Sequence, residues 1–151
     1  MKMNGYQYAY ELRKGLYGLG VYTLERIPKG CRVWKFQAKD HENPTAPHNI
    51  LRYPSLEEVQ QRLQKESPEY ITFLLDHWYF YNDAVNEILD DSQYTNHSED
   101  PSCVSDPSDG CIYATRDIEP GEELTEDYRT FHTTEWYQML RSEYNSQWSF
   151  L

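Results

Sequence analysis

Cations and long apolar runs are scarce in this chain, and each shortage excludes a class of protein. Only 14 Lys and Arg stand against 25 Asp and Glu in 151 residues, a net charge of −11 at pH 7. A surface for nucleic acid or for an anionic membrane needs a basic patch, so we expect neither partner. No apolar run approaches the ~18 residues of a membrane span. The first residues lack the apolar stretch of a secretory signal, so we expect an intracellular protein, in the cytoplasm, with the nucleus as the alternative.

Cysteine is also scarce, with Cys31, Cys103 and Cys111 the three positions. Their number is odd and their spacing matches no zinc pattern, so the sequence predicts neither a disulfide framework nor a metal site. Tyrosine is abundant instead, with 14 residues in a chain that is 15% aromatic. Because tyrosine joins an apolar ring to a hydroxyl, it suits a narrow, partly wet site as well as a strand surface.

The length and patterning predict one strand-rich α+β domain over residues 1–151. Alternating or β-branched stretches predict strands over 6–12, 21–27, 31–36, 78–81, 111–115 and 123–125. Ser55 and Glu58 form a capping box for a helix over 55–66, a second helix starts near Pro68, and Thr133 is placed to cap a third. The polar segments 40–54 and 98–110 are predicted as loops.

One short segment of this pattern matches a second segment of the same chain, and we call this match the internal echo. Residues 21–33 match residues 112–124 at a constant offset of 91, and both read as strand, proline-glycine turn, strand. The match is too short for a solenoid repeat, and it indicates a chain built from several small hairpins.

Three short blocks carry the chemistry, in the order Gly18-Leu19-Gly20, Asn96-His97-Ser98 and Gly121 to Tyr128. Together they resemble the SET domain family over about 15–128. The resemblance implies transfer of a methyl group from S-adenosylmethionine to a lysine side chain of a protein. It also implies the SET fold of small curved sheets with few short helices, in which the C-terminal segment threads under a preceding loop as a pseudoknot.

The resemblance places the cofactor on the first two blocks. Gly18, Leu19 and Gly20 would contact its methionine part, where glycine lets the backbone approach closely. Asn96 would contact its amino acid part, and the backbone of His97 its adenine. Position 23 is threonine, so the Rossmann pattern Gly-x-Gly-x-x-Gly is absent from this segment.

Tyr128 is the predicted catalytic residue, because it matches the terminal tyrosine of the family's third block. It is also expected at the cofactor. Tyr94 is a candidate for the cofactor wall. Trp136 could cover the adenine, or it could form with Met139 and Leu140 the buried face of a helix.

The substrate channel is expected to include Phe36, Tyr79, Tyr113 and Glu126. Phe36 falls where many family members have a channel tyrosine. Glu126 falls where they often have Phe or Tyr, at a position that influences how many methyl groups are added. Its carboxylate could pair with a substrate ammonium or point to solvent, so the degree of methylation stays open. Tyr79 belongs to the insert 40–89, which in the family helps to form the substrate groove.

Several departures from the family pattern are informative. Glu99 replaces a zinc-binding cysteine and no cysteine follows Cys111, so we expect no zinc module. The tail 131–151 of the C-terminal segment 129–151, or a second subunit, must then close the site, which allows a homodimer. The aromatic residues of this segment are Trp136, Tyr137, Tyr144, Trp148 and Phe150. Gln93 and Ser102 replace a common Arg and a common Asn.

The expected activity is that of a protein-lysine N-methyltransferase, and the expected partner is a lysine-containing, basic protein or peptide. Deprotonating a lysine at pH 7 costs about 4–5 kcal/mol, because its ordinary pKa is ~10.4. The site must therefore hold a neutral amine in a desolvated channel. Two alternatives remain: a non-catalytic SET-like protein that binds a peptide or cofactor, and a structural protein whose aromatic tail pairs subunits.

Overall fold

The computed structural model describes residues 3–146, and within them it confirms a strand-rich α+β fold. The ten strands are β1 Tyr10–Gly15, β2 Gly18–Thr23, β3 Arg32–Trp34, β4 Ile50–Tyr53, β5 Tyr79–Tyr81, β6 Ala84–Ile88, β7 Asn96–His97, β8 Cys103–Ser105, β9 Ile112–Ala114 and β10 Glu123–Glu126. The helices are α1 Leu56–Leu63, α2 Pro68–His77 and α3 Glu135–Glu143, with short 3-10 turns at Asp91–Tyr94 and Tyr128–Thr130. Among the residues described, no helix is both long enough and apolar enough to cross a membrane.

The strands form three small sheets. The first has the order β1-β2-β10-β7, the second β3-β9-β8 and the third β4-β6-β5. In the first sheet β10 runs antiparallel to β2 and parallel to β7. The last strand of the chain therefore lies between the two strands that carry the earlier sequence blocks.

The internal echo becomes a pseudo-twofold arrangement in the structure. Ile27 and Ile118, which correspond across the offset, are both 0% exposed and exchange two backbone hydrogen bonds of 2.8 Å. Gly30 N–H donates to the carbonyl of Ala114 at 2.9 Å, and the corresponding Gly121 N–H donates to Thr23 at 2.8 Å. The two copies thus pack face to face, where the sequence indicated only separate hairpins.

Two apolar cores hold the sheets and helices. The first lies between the pseudo-symmetric segments and includes Val21, Val33, Trp34 and Leu124. The second lies under the helices and contains Val59, Leu63, Ile71, Leu74, Leu75, Trp78, Val85, Tyr137 and Leu140. The apolar side chains of α1 and α2 recur at the spacing of one helical face, which explains why these helices pack there.

The predicted helix starts are close to the observed ones. Ser55 accepts a hydrogen bond from the backbone of Glu58, as the capping box predicts, and Ser67 caps α2 in the same way. The third helix follows Thr134 rather than Thr133, and its predicted face is wrong at one position. Met139 is 65% exposed, and the buried side chains of α3 are Tyr137, Leu140 and Arg141.

Several strand predictions need correction. The segments 40–54 and 98–110, predicted as loops, contain β4 and β8. Both strands are short and depend on pairing with distant partners, β4 with β6 and β8 with β9, which local composition does not reveal. The strand predicted over 21–27 ends at Thr23, and the one predicted over 6–12 begins at Tyr10.

Ser102 connects β10 to the segment before β8 by hydrogen bonds. Its hydroxyl donates to the carbonyl of Glu123 at 2.9 Å and accepts from the backbone N–H of Thr125 at 3.0 Å. Its own N–H donates to the Thr125 hydroxyl at 3.1 Å. Ser102 is 0% exposed, so water cannot replace these bonds.

We therefore expect Ser102→Ala to lower the free energy of unfolding by about 2–3 kcal/mol, because it leaves two buried backbone groups without partners. Urea unfolding followed by circular dichroism measures the change. The exposed Ser108→Ala is the control and should stay within about 0.5 kcal/mol of the parent. Equal effects of the two substitutions would show that Ser102 does not hold β10.

Candidate functional site

The three sequence blocks meet at one cleft of about 850 Å³. They meet because β2, β10 and β7 are neighbours in the first sheet. The lining residues are Tyr17, Leu19, Phe73, Asp76, His77, Gln93, Tyr94, Thr95, Asn96, His97, Ser98, Glu99 and Tyr128. The cleft thus joins aromatic walls to polar groups, as small-molecule sites commonly do.

The carboxylate of Glu123 lies where the block Gly18-Leu19-Gly20 meets the block Asn96-His97-Ser98. Asn96 Nδ2 donates to Glu123 Oε2 at 2.8 Å and to the carbonyl of Leu19 at 3.2 Å. A Cβ on Gly20 would lie 2.5 Å from Glu123 Oε2 and 3.0 Å from Asn96 Nδ2. Gly20 is required by this close approach, and Asn96 turns its amide nitrogen to the protein.

His97 organises the turn that carries Tyr128. Its Nδ1 accepts a hydrogen bond of 3.0 Å from the backbone N–H of Tyr128, so we assign the proton of the neutral ring to Nε2. Asp127 caps the turn by accepting from the backbone of Arg129 at 3.0 Å. Arg129 hydrogen bonds lower the pKa of Asp127 to about 2, so this carboxylate stays charged.

A second, narrow cavity of about 60 Å³ adjoins the cleft. Tyr128 lines both, and its hydroxyl donates to the carbonyl of Thr95, which also lines both. The ring of Phe131 packs 5.4 Å from that of Tyr128 and 5.7 Å from that of Tyr79. These three rings form an aromatic collar around the cavity, whose other walls include Trp34, Ile88, Ser105, Ile112 and Arg141.

Glu126 lies behind the wall of the narrow cavity. It is 5% exposed, so it does not point to solvent, and Ser105 Oγ donates to its Oε1 at 2.5 Å. Burial raises the pKa of Glu126 to about 7, and hydrogen bonds from Ser105 offset part of that rise. No ion pair joins Glu126 to a cation within residues 3–146.

Most predicted cofactor residues share the cleft. Leu19, Tyr94, Asn96, His97 and Tyr128 line it. Gly18 and Gly20 belong to the same strand, β2, with Gly18 in the left-handed region at φ +91°. Tyr79 lines the narrow cavity, as its assignment to the channel requires.

Three predicted residues lie elsewhere. Phe36 packs edge-on against Tyr81, 5.5 Å away, where Gly110 leaves room for it. The hydroxyl of Tyr113 donates to Asp109 at 2.5 Å on a loop. Trp136 packs on Phe80, and the side chains that line the cleft within residues 3–146 do not include it. Trp148 and Phe150, expected in the closing tail, lie outside the described residues.

The structure adds residues that the sequence blocks did not single out. Phe73 and His77 of α2 continue the cleft wall, with ring centroids 4.2 Å apart, and His77 meets Tyr94 edge-on at 6.0 Å. Ser105 and Phe131 join the narrow cavity. Helix periodicity alone did not show which rings of the insert face the cleft.

The cleft residues fit S-adenosylmethionine. The volume of the cleft, about 850 Å³, lies in the range of small-molecule sites. Phe73, His77 and Tyr94 offer ring faces for an adenine, and Asn96 keeps Oδ1 as an acceptor for an ammonium group. In the part of the chain that the structure describes, no group of three or more His, Cys, Asp or Glu side chains is placed to hold a metal ion.

Comparison with known proteins identifies the family. A profile described as SET domain matches residues 18–129. The histone-lysine N-methyltransferase SETMAR of Rattus norvegicus is 32% identical over 128 residues, covering 74% of this chain and 36% of that protein. The chain thus spans little more than a third of that relative.

Two solved structures agree on the fold. The methyltransferase domain of human SETMAR superposes with a TM-score of 0.53 at 24% identity, covering 82% of this chain and 45% of that one. A Plasmodium falciparum protein provisionally assigned as a histone methyltransferase gives a TM-score of 0.51 at 19% identity, covering 86% of this chain and 98% of that one. Together with the family match, these two structures confirm the SET fold of this chain.

The burial of Glu126 makes a pH-dependent stability prediction. Its pKa rises from 4.5 to about 7 on folding, so the folded state binds a proton that the unfolded state has released between these values. Stability should therefore fall as pH rises through this window. Glutamine at position 126 does not titrate, so the free energy of unfolding of Glu126→Gln should not show this fall. Relative to the parent, the variant should therefore gain about 2 kcal/mol of stability between roughly pH 5.5 and 8.

Urea unfolding of both proteins at the two pH values measures this difference. Glu122→Gln is the matched control, because Glu122 is partly exposed and paired with Arg116. Its effect should not change with pH by more than about 0.5 kcal/mol. If Glu126→Gln behaves like Glu122→Gln, Glu126 does not have the raised pKa.

Proposed function

The chain belongs to the SET domain family, and from this premise we propose that it transfers a methyl group from S-adenosylmethionine to the side-chain amine of a lysine in a protein. The observation that supports this most directly is the position of Tyr128. It lines both the wide cleft, which fits the cofactor, and the narrow cavity, which fits the end of a lysine side chain. The two reactants would therefore meet beside one tyrosine ring.

The wide cleft would hold the cofactor. S-adenosylmethionine, when bound, supplies a methyl group made electrophilic by its sulfonium. Leu19 and Asn96 would hold the amino acid end, since Asn96 keeps Oδ1 for the ammonium while its Nδ2 is bonded to Leu19 and Glu123. His97 and Tyr94 would lie along the adenine, with Phe73 as its outer wall.

The aromatic collar would orient the lysine and exclude water from it. Burial raises the pKa of Tyr128 and of Tyr79 well above the ordinary tyrosine value, so both hydroxyls stay protonated at neutral pH. The Tyr128 hydroxyl donates to the carbonyl of Thr95, which fixes the orientation of its ring beside both cavities. Alignment in a water-poor channel is the main contribution that such a site can make to an in-line displacement.

The charge of the chain supports a basic substrate. A net charge of −11 would favour encounter with a lysine-rich, basic protein or peptide. The rat relative is named a histone-lysine N-methyltransferase, so histones are a reasonable first set of acceptors to test.

We expect Tyr128→Phe to reduce methyl transfer by at least ~100-fold while the fold and cofactor binding persist. Labelled S-adenosylmethionine, a demethylated cell lysate and mixed histones serve as reactants, with mass spectrometry to locate the label. The matched control is Tyr53→Phe, because Tyr53 also has a bonded hydroxyl, to Glu87 at 2.6 Å, but lies outside both cavities.

The control should transfer within about twofold of the parent. Unchanged transfer by Tyr128→Phe would refute the role given to the hydroxyl. A parent protein that binds cofactor but labels no acceptor would favour the non-catalytic alternative. A parent that does neither would refute the proposed function.

A further prediction concerns the outer wall of the cleft. Phe73→Ala should weaken binding of S-adenosylmethionine about tenfold, because an aromatic face contributes roughly 1–2 kcal/mol to a buried ring contact. Isothermal titration calorimetry measures the affinity. Tyr70→Ala is the control on the same helix: Tyr70 is 45% exposed and Phe73 39%, but Tyr70 is outside the cleft lining. Equal weakening by both would show that Phe73 acts only through the stability of α2.

A further inference from the structure

The lysine channel contains a serine whose hydroxyl is directed away from it. Ser105 lines the narrow cavity, yet its Oγ donates a hydrogen bond of 2.5 Å to Oε1 of the buried Glu126. A hydroxyl that donates on one side keeps its lone pairs as acceptors on the other. Ser105 therefore presents an acceptor to the cavity and a proton path to a carboxylate behind it.

We propose that Ser105 and Glu126 form the proton acceptor of the lysine channel. This inference rests on the proposed function for its substrate, a protonated lysine entering the narrow cavity. The ammonium gives one proton to Ser105 Oγ as Ser105 gives its own to Glu126 Oε1. One N–H and one O–H bond break, a new Oγ–H and a new Oε1–H bond form, and the products are a neutral amine and a neutral carboxylic acid.

The surroundings of Glu126 favour this role over a structural ion pair. The titratable groups that face it are Tyr79 of β5, Cys103 of β8 and Tyr128 of the following turn. Burial and the Glu126 charge raise the pKa of all three, so they are neutral at pH 7 and do not balance the carboxylate. Within residues 3–146 the carboxylate thus lacks a cation, and an entering ammonium would supply one.

The cations near the cavity do not pair with Glu126 within residues 3–146. Arg141 lines the cavity, where its Nη2 donates to the carbonyl of Trp78 at 2.6 Å, its guanidinium lies over the Tyr137 ring and its buried Nε lacks a partner among the described residues. Arg52 is bonded to the side chain of Asn86 at 3.3 Å. The remaining titratable groups of the cavity wall are Asp76, His77 and His132.

The tyrosine hydroxyls are poor alternatives as proton acceptors. Burial raises the pKa of both Tyr79 and Tyr128, so at neutral pH both are phenols and neither supplies the phenolate that could accept a proton. A carboxylate with a pKa of about 7 is instead close to the value at which general bases work best near neutral pH. Geometry and acidity therefore agree on the same pair.

The kinetic test uses Glu126→Gln and Ser105→Ala. Glu126→Gln keeps an acceptor for the Ser105 hydroxyl and removes the site for the proton. In the parent, transfer should rise with pH around 7 and then level off. In both variants it should be at least ~100-fold slower at pH 7. It should also keep rising beyond about pH 9, as the lysine itself loses its proton.

Glu122→Gln and Ser108→Ala are the matched controls, since both side chains lie outside the two cavities, and they should keep the parent pH profile. If Glu126→Gln keeps the parent rate and profile, the proposal is overturned while the proposed function stands. A slower Glu126→Gln with an unshifted profile also overturns it, because a purely structural role predicts that result.

A second readout does not need methyl transfer. Infrared difference spectra of the parent minus Glu126→Gln isolate the carboxyl band of Glu126. Addition of n-butylamine, a probe with the end of a lysine side chain, at about pH 8 should convert the ionised Glu126 into its neutral acid, because the desolvated ammonium passes a proton to it. The uncharged n-butanol should leave it unchanged. A band that butylamine does not move overturns the proposal, even if the parent transfers no methyl group and the proposed function fails separately.

Discussion

The insertion of β10 between β2 and β7 is the constraint on which the site depends. Leu124 pairs with Val21 on one side and Thr125 with Asn96 on the other. Because side chains alternate along a strand, Leu124 and Glu126 are buried while Glu123 and Thr125 are less so. A slip of one residue would exchange the two faces and carry Glu126 out of the interior. The bonds of Ser102 to both sides of β10 oppose that slip.

Only one of the two matched segments borders the cleft, and the pseudo-twofold arrangement explains why. The pairing of β3 with β9 corresponds, across the offset of 91, to the pairing of β10 with β2, so Arg32 opposite Tyr113 matches Glu123 opposite Tyr22. The copies differ in what lies beyond. β10 gains β7 as a parallel neighbour, and with it Asn96 and His97, whereas β3 is the edge of its sheet. The two matched segments thus form the first core, and the added strand β7 completes the cleft.

The sequence was most informative where function needs a residue and its near neighbours together. Gly20, Asn96, His97 and Tyr128 were predicted from short blocks, and the structure brings them to one place. The channel was less predictable, because its walls come from segments far apart in the chain. Phe36 was expected there, but Gly110, at φ +74°, brings its loop against Phe36. The strands β4 and β8 were missed for a related reason, since each exists through a partner that local sequence does not specify.

A comparison of two buried glutamates shows what is unusual beside the narrow cavity. Glu87 is 7% exposed and is fully compensated, with Arg62 at 3.0 Å and the Tyr53 hydroxyl at 2.6 Å. Glu126 is as deeply buried, but its carboxylate accepts hydrogen bonds from Ser105 and pairs with no cation within residues 3–146. Glutamine would accept the same bond without the cost of burying a charge, so the fold does not require a carboxylate at this position. A destabilised charge beside a cavity is the kind of local conflict that proteins keep where the charge is used, and the use that we propose for Glu126 is to take a proton from an amine.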